Sequence, residues 1–107
     1  YQDRIVLHTA DALTLIPQLD LEIDLVFIDA EKKNYTAYLE AVLPKMKSGG
    51  VLLVDNVLWT GKVVEPLDPK DKTTEAILSF NQYMKNHPRL STVLMPLRDG
   101  LTLSLVK

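Results

Sequence analysis

The chain has 107 residues, which is enough for one domain with a buried core. Hydrophobic residues make up 47% of it and charged residues 24%, the net charge is −2, and there is no cysteine. This composition excludes disulfides and cysteine-based metal sites or nucleophiles, and it supplies no overall basic field to attract nucleic acid or an anionic membrane. No apolar run approaches the roughly 20 residues of a membrane helix and no signal peptide is recognisable, so we expect a cytoplasmic protein.

The first elements predicted along the chain are a strand, a short helix and a second strand. The β-branched apolar run Arg4–His8 is typical of a strand. Asp11 is suited to cap the helix that follows, which Pro17 limits to one or two turns. The run DLVFI at 24–28 is almost continuously apolar, which predicts a strand buried on both faces.

A longer helix, another buried strand and a loop are predicted next. Apolar residues recur at helical spacing from Tyr35 to Met46, which predicts an amphipathic helix that Gly49-Gly50 end. The run VLLV at 51–54 predicts a buried strand. Residues 59–72 contain one glycine and two prolines and predict a long loop, a kind of segment that is often functional.

The last third predicts a helix and a closing hairpin. A helical core face runs through 76–84, and two strands follow at 90–97 and 101–107. Arg98–Gly100 between them predicts a hairpin turn, with glycine at the position that tolerates positive φ. The order of elements predicts an α/β fold with a mostly parallel sheet and one antiparallel strand from the hairpin.

Polar side chains follow two consecutive buried strands at the point where each apolar run breaks. Asp29 follows the first run, and Asp55 and Asn56 follow the second. Strands joined by one helix form a right-handed parallel unit, and if they are neighbours their carboxyl ends share one edge. Three oxygen donors there suit Mg²⁺ or Ca²⁺. Two alternatives stay open: Asp29 could simply cap a helix, and the Asp55-Asn56 pair could simply form a turn.

Three blocks of sequence, VFIDAEKKNY, GGVLLVDNVLWTGKV and PLRDGLTL, occur in this order. Together they resemble the cation-dependent O-methyltransferases of the caffeoyl-CoA and catechol type, which use S-adenosylmethionine. The resemblance extends over nearly the whole chain, from about residue 7 to 107. It implies the carboxyl-terminal half of a Rossmann-like methyltransferase fold, with residues 1–107 as a partial methyltransferase domain.

The resemblance assigns metal and catalytic roles by position. The family's metal ligands fall on Asp29, Asp55 and Asn56, the residues that the strand ends indicate. Mg²⁺ is the ion expected first, with Ca²⁺ and Mn²⁺ as alternatives. The family's general-base lysine falls on Lys32, three residues after the first aspartate. The alternative for Lys32 is a solvated lysine at the start of a helix.

The cofactor residues and two departures also follow from the resemblance. The adenine of S-adenosylmethionine is implied near Asp11 and Ala12, and its amino-acid end near Asp29. Plant caffeoyl-CoA enzymes have an asparagine where this chain has Thr60, and animal catechol enzymes have a glutamate where it has Thr102. Both departures concern the choice of methyl acceptor.

The family's glycine-rich cofactor loop has no counterpart in this sequence. Gly49-Gly50 precede a strand, which is the wrong context for such a loop. Because the chain also begins without methionine, we expect a fragment. Its DLVFI strand then has an open apolar edge, which we expect the missing half or another copy of the chain to cover, so that a homo-oligomer is predicted.

The function implied is methyl transfer from S-adenosylmethionine to a metal-chelated hydroxyl of a small catechol-like or aromatic substrate. Lys32 would take the proton of that hydroxyl or steady the anion. One alternative is a tRNA hydroxyuridine as the acceptor, known from some bacterial relatives, which the net charge of −2 does not favour. The other is a metal-binding or dimerising fragment without activity, which the missing cofactor loop favours for this chain alone.

Overall fold

Helices and strands alternate along the chain in the computed structural model, which describes all 107 residues. The helices are α1 (Ala12–Leu15), α2 (Tyr35–Val42) and α3 (Lys72–Asn86), and the strands are β1 (Ile23–Ile28), β2 (Met46–Asp55), β3 (Leu90–Met95) and β4 (Leu101–Val106). Short 3₁₀ turns follow α1 and α2 and precede α2. None of the helices is long and apolar enough to span a membrane.

The four strands form one sheet in the order β1-β2-β4-β3. β1 pairs with β2 in parallel, and β4 lies antiparallel to both of its neighbours, β2 and β3. Three strands therefore run in one direction and β4 runs in the other. The prediction of a mostly parallel sheet with one antiparallel strand from the closing hairpin is confirmed.

One face of the sheet carries α2, α3 and the hydrophobic core. The buried cluster includes Tyr35 and Leu39 of α2, Phe80 of α3, and Leu52 and Val54 of β2. The Tyr35 and Phe80 rings meet edge to face, with their centroids 5.3 Å apart. This aromatic pair joins the two helices above the middle of the sheet.

The opposite face of β1 carries no helix. Leu25 and Phe27 point to that face and are 58% and 55% exposed, whereas Ile28 on the helix side is buried. The prediction that this strand is buried on both faces is therefore wrong for the chain as it stands. Its nearly continuous apolar run still matches a strand whose second face is covered by further protein.

The amino-terminal segment agrees with the prediction at α1 only. The Asp11 side chain accepts a hydrogen bond from the Leu13 N–H and caps α1, as predicted, and Pro17 lies in the 3₁₀ turn Ile16–Gln18 that ends the helix. The strand predicted at Arg4–His8 is wrong, because no strand of the sheet pairs with that segment. A β-strand needs such a partner for its backbone N–H and C=O groups.

Gly49 and Gly50 do not end α2, so that prediction is wrong. The helix ends at Val42, a 3₁₀ turn with Pro44 follows, and both glycines lie inside β2. A Cβ atom on Gly50 would lie 2.9 Å from the Lys47 carbonyl oxygen, so a glycine is needed there for a packing reason.

The segment predicted as a loop at 59–72 is only partly irregular. Its first six residues, Trp59–Val64, form 3₁₀ turns, and the rest leads to Asp71, whose side chain caps α3. The predicted hairpin turn is confirmed, with Gly100 at φ 80°.

Candidate functional site

The parallel pairing of β1 and β2 places Asp29 and Asp55 at one edge of the sheet. The last pair in register is Ile28 with Val54, so the next residue on each strand is an aspartate. Asn56 follows directly and has a φ of 62°, a conformation that asparagine adopts more readily than most residues. The predicted parallel pairing, on which the proximity of the two strand ends depends, is confirmed.

Lys32 lies against the first of these carboxylates. The 3₁₀ turn Lys32–Asn34 brings its ammonium back over Asp29, where Nζ is 3.2 Å from Oδ1. Nζ also donates to the Ala30 carbonyl oxygen at 2.9 Å. It lies 5.1 Å from the Tyr35 ring centre and 6.0 Å from that of Trp59, within the range of a cation–π contact.

These surroundings act on the Lys32 ammonium in opposite directions. Partial burial lowers the pKa of Lys32, but the Tyr35 side chain and the Asp29 carboxylate together outweigh it, so the net pKa lies above the ordinary lysine value. Lys32 is therefore a cation at neutral pH in this arrangement, and it balances part of the negative charge at the edge of the sheet.

The corner formed by Asp55 and Asn56 is held from two sides. The Tyr35 hydroxyl donates to the Asp55 backbone carbonyl at 2.8 Å, and Asp55 Oδ1 accepts from the Asn56 backbone N–H at 2.8 Å. Asn56 Nδ2 donates to Asp99 Oδ2 at 3.4 Å, and Asp99 Oδ1 accepts from the Thr60 backbone N–H. The corner is thereby fixed to α2 and to the hairpin turn.

Asp99 is a site residue that sequence reasoning treats only as part of a turn. Its link to the site arises because β4 pairs with β2, with Leu101 opposite Asp55, so that the hairpin turn lies beside the end of β2. The RDG turn would have indicated the contact between Asp99 and Asn56 only if the order of the strands in the sheet were known. The sequence pattern does not supply that order.

One oxygen of each predicted metal ligand accepts no hydrogen bond from the protein. These atoms are Asp29 Oδ2, Asp55 Oδ2 and Asn56 Oδ1. Two carboxylate oxygens and an amide oxygen are the hard donors that Mg²⁺ and Ca²⁺ prefer, so the residues fit a divalent cation chemically. The structure gathers no group of three or more His, Asp or Glu side chains, so such a site depends on the amide of Asn56.

The residues implied for the adenine make no hydrogen bond to this corner, whereas Thr60, one of the two positions implied for the choice of acceptor, donates its backbone N–H to Asp99. Asp11 is engaged locally, with Leu13 N–H and the Thr14 hydroxyl as its donors, and neither Asp11 nor Ala12 is hydrogen-bonded to the strand ends. Thr102 is buried opposite Val54 in the sheet. The pairing of β1 with β2 thus brings the strand ends that carry Asp29, Asp55 and Asn56 to one edge of the sheet, with Lys32 against Asp29.

A shallow groove opens beside Lys32 and Trp59. Its walls come from the turn after β1, the 3₁₀ turn after β2 and the start of α3, and its lining residues are Ala30, Glu31, Lys32, Lys33, Trp59 and Thr73. A separate cavity of about 310 Å³ lies between α3 and the β3–β4 hairpin; Thr102 lines it, but none of the predicted metal, base or cofactor residues does. The groove is the only one of the two that adjoins the charged corner.

Known proteins share this sequence and fold. The sequence profile of a family described as "O-methyltransferase" matches residues 1–107. The chain is 42% identical over 81 residues to mouse catechol O-methyltransferase domain-containing protein 1, covering 76% of the chain and 30% of that protein. It is 33% identical over 111 residues to caffeoyl-CoA O-methyltransferase 1 of Eucalyptus globulus, covering 94% and 45% respectively.

A solved structure extends this likeness to the fold. The O-methyltransferase TomG from Streptomyces achromogenes, in complex with SAM, superposes with a TM-score of 0.81 at 29% identity over 91% of the chain and 47% of TomG. The chain spans less than half the length of these relatives. Since the family profile covers every residue and the fold agrees, the chain belongs to the O-methyltransferase family.

Proposed function

We propose that the intact protein transfers a methyl group from S-adenosylmethionine to a hydroxyl of a small catechol-like or aromatic substrate, with the help of a divalent cation. Membership of the O-methyltransferase family supports the reaction type. The observation that carries the dependence on a cation is the placement of Asp29, Asp55 and Asn56 at the ends of two adjacent strands, each with a free oxygen.

In this proposal the corner of the sheet would hold the cation. Asp29 Oδ2, Asp55 Oδ2 and Asn56 Oδ1 are the proposed ligands, and Mg²⁺ is the first choice of ion, with Ca²⁺ or Mn²⁺ as alternatives. A bound divalent cation lowers the pKa of a hydroxyl that it contacts. The protein's own part is to fix the three ligands: Tyr35 and Asp99 hold Asp55 and Asn56 through their hydrogen bonds, and Lys32 holds Asp29.

Lys32 is proposed as the group that steadies the substrate anion, because its ammonium is charged at neutral pH in this arrangement. It would take the substrate proton only if a bound cation lowered its pKa. Its ammonium lies 3.2 Å from Asp29 Oδ1 and beside the groove under Trp59, so an acceptor hydroxyl in that groove would lie near both. Holding the hydroxyl oxygen against the methyl donor in near-attack geometry would supply much of the rate enhancement.

S-Adenosylmethionine is the proposed methyl donor. TomG, which shares the fold, was solved in complex with SAM. By the family resemblance, the adenine would lie near Asp11 and Ala12 and the amino-acid end near Asp29. The Asp11 carboxylate already caps α1, so its contribution to cofactor binding would come from the position of the helix start.

Methyl transfer by the intact protein to a catechol tests this proposal. We expect transfer that is lost on addition of a chelator, restored by Mg²⁺, and lost in an Asp55→Ala variant. An Asp68→Ala variant, which removes a carboxylate from the loop before α3, serves as the control and should retain activity. Activity that persists in the presence of the chelator would contradict the cation dependence.

The same assay decides the acceptor. Transfer to a catechol but not to tRNA supports the small-molecule proposal. Transfer to tRNA but not to catechols would replace the acceptor with a modified nucleoside and leave the proposed role of the corner unchanged.

A further inference from the structure

We propose that Asp99 is a positioning residue, which turns the side-chain amide of Asn56 so that its oxygen faces the cation site. This inference rests on the proposed function, because it concerns how one of the three proposed ligands is oriented. Asp99 lies between β3 and β4, in the turn that the hydrogen bond from the Gly100 N–H to the Leu97 carbonyl oxygen closes.

Asp99 contacts the segment after β2 at three points. Its backbone carbonyl accepts from the Leu58 N–H at 2.9 Å, and its Oδ1 accepts from the Thr60 N–H. Its Oδ2 accepts from Asn56 Nδ2 at 3.4 Å. Both carboxylate oxygens are therefore directed at the segment that begins with the proposed ligand.

The chemistry of the two side chains fixes the orientation of the amide. An ionised carboxylate can only accept hydrogen bonds, so Asn56 must present its NH₂ group to Asp99. The amide is planar, and its oxygen lies on the other side of the group from its nitrogen. Asn56 Oδ1 is thus turned away from Asp99, and it receives no hydrogen bond from the protein. Because the Asp99 carboxylate can only accept, it selects the one of the two Asn56 amide orientations in which the NH₂ group faces Asp99.

The backbone around Asn56 would not hold this orientation without help. Asn56, Trp59 and Thr60 all have positive φ values, of 62°, 49° and 54°. Non-glycine residues in this region are strained, asparagine less than tryptophan or threonine, and the strained ones persist only where the surroundings hold them. The three contacts of Asp99 supply part of that restraint from outside the segment, together with hydrogen bonds from the Val57 N–H to Gly100 and from Asn81 to the Val57 carbonyl.

The variant Asp99→Asn separates orientation from folding. An asparagine at this position keeps an oxygen for the Thr60 N–H, but its NH₂ group then faces Asn56. Asn56 is expected to flip its amide, donate nothing to residue 99, and turn its oxygen away from the cation site. Loss of such an outer partner typically weakens metal affinity by about 10- to 100-fold, and we expect at least about tenfold here.

Asp99→Asn also removes a negative charge, and that loss alone would weaken cation binding. Repeating the substitution in an Asn56→Asp protein distinguishes the effect of charge from the effect of amide orientation. In an Asn56→Asp protein the ligand has an oxygen on each side, so there is no orientation to select. Asp99→Asn should then leave Mg²⁺ affinity unchanged or increase it, because the amide introduced at position 99 can donate to the new carboxylate. An effect of charge alone would weaken binding equally in both backgrounds and would overturn the inference.

The test is titration calorimetry of the intact protein with Mg²⁺ for the wild type, Asp99→Asn, Asn56→Asp and the double variant. Asp68→Asn is the matched control, because Asp68 is also a loop carboxylate that accepts a backbone N–H bond, from Lys70 at 2.9 Å. We expect Asp68→Asn to bind Mg²⁺ as the wild type does. Equal affinity of Asp99→Asn and wild type would overturn the inference and leave the proposed function standing.

A readout without a cation keeps the two proposals separate. In the metal-free wild type, the side-chain NH₂ protons of Asn56 should exchange with water more slowly than those of an exposed asparagine, as measured by NMR. Wild-type protein that binds no Mg²⁺ would overturn the cation dependence, whereas fast exchange of these protons would overturn the orienting role of Asp99. The wild-type measurement needs no variant to fold.

Discussion

The Tyr35 hydroxyl donates a hydrogen bond to the backbone carbonyl of Asp55 at 2.8 Å, and so ties the start of α2 to the end of β2. The Tyr35 side chain is fully buried and packs edge to face on Phe80. Burial raises the pKa of Tyr35 above its ordinary value, so the hydroxyl stays protonated and remains a donor at neutral pH. A core tyrosine thus fixes the backbone at one of the proposed ligands.

Removal of this hydroxyl should destabilise the protein. In Tyr35→Phe the Asp55 carbonyl loses its donor while the ring packing is kept, and we expect a loss of about 1–2 kcal/mol in the free energy of unfolding, measured with urea. The control is Tyr38→Phe, because the Tyr38 hydroxyl makes no hydrogen bond within the protein. Equal stability of the two variants would contradict a structural role for the Tyr35 bond.

Gly100 is expected to tolerate a side chain less well than Gly61, although both have positive φ. An added Cβ on Gly100 would lie 2.5 Å from Leu58 Cγ, whereas nothing lies within 4 Å of one on Gly61. Gly61→Ala should cost only the backbone strain, about 1–2 kcal/mol. Gly100→Ala should cost about 1–3 kcal/mol more because of the overlap. Unfolding in urea measures both, and a smaller loss for Gly100→Ala than for Gly61→Ala would contradict this packing.

Asp71, the residue that caps α3, should make the free energy of unfolding depend on pH in the acid range. Hydrogen bonds from the Thr74 hydroxyl and backbone N–H lower the pKa of Asp71, and Lys62 adds to the effect. A carboxyl with a lowered folded-state pKa stabilises the protein fully above its ordinary pKa of about 4, and this contribution is lost as the pH falls through the lowered value.

The variant Asp71→Asn tests this dependence. It keeps a capping side chain but cannot ionise. We expect it to be less stable than the wild type at pH 7 and to approach the wild type as the pH falls through the lowered pKa of Asp71, measured by urea unfolding from neutral to acid pH. A difference that stays constant with pH would show that the charge of Asp71 contributes nothing.

The exposed face of β1 and its free hydrogen-bonding edge should both be covered in the intact protein. Leu25 and Phe27 are more than half exposed, and β1 is an edge strand. An apolar edge of this kind invites pairing, so we propose that the remainder of a longer protein or a second copy of the chain covers it. We expect slow exchange of the β1 amide protons that face away from β2, measured by hydrogen exchange, and fast exchange in a well-ordered monomer would contradict the proposal.

The local sequence pattern predicted most of the helices and strands correctly. It failed where contacts between distant segments determine the structure. The spacing from Tyr35 onward predicted α2, and the acceptor Asp11 predicted the start of α1, because both depend on neighbours along the chain. Arg4–His8 has the residues of a strand but no partner to pair with. Gly50 has the sequence context of a helix stop, yet a glycine is needed there because a Cβ atom would crowd the carbonyl oxygens of Lys47 in β2 and Asp24 in β1.

The sequence by itself determined that two apolar runs end just before Asp29 and Asp55-Asn56 and that a helix lies between them, so that the two strands should run parallel. It left open whether the strands are neighbours, which their pairing in the structure shows. Only the tertiary structure decided that β4 inserts between β2 and β3. Strand order depends on burial summed over the whole sheet, which no local pattern encodes. That insertion brings Asp99 against Asn56, so that Asp99 Oδ2 accepts a hydrogen bond from the Asn56 side-chain amide.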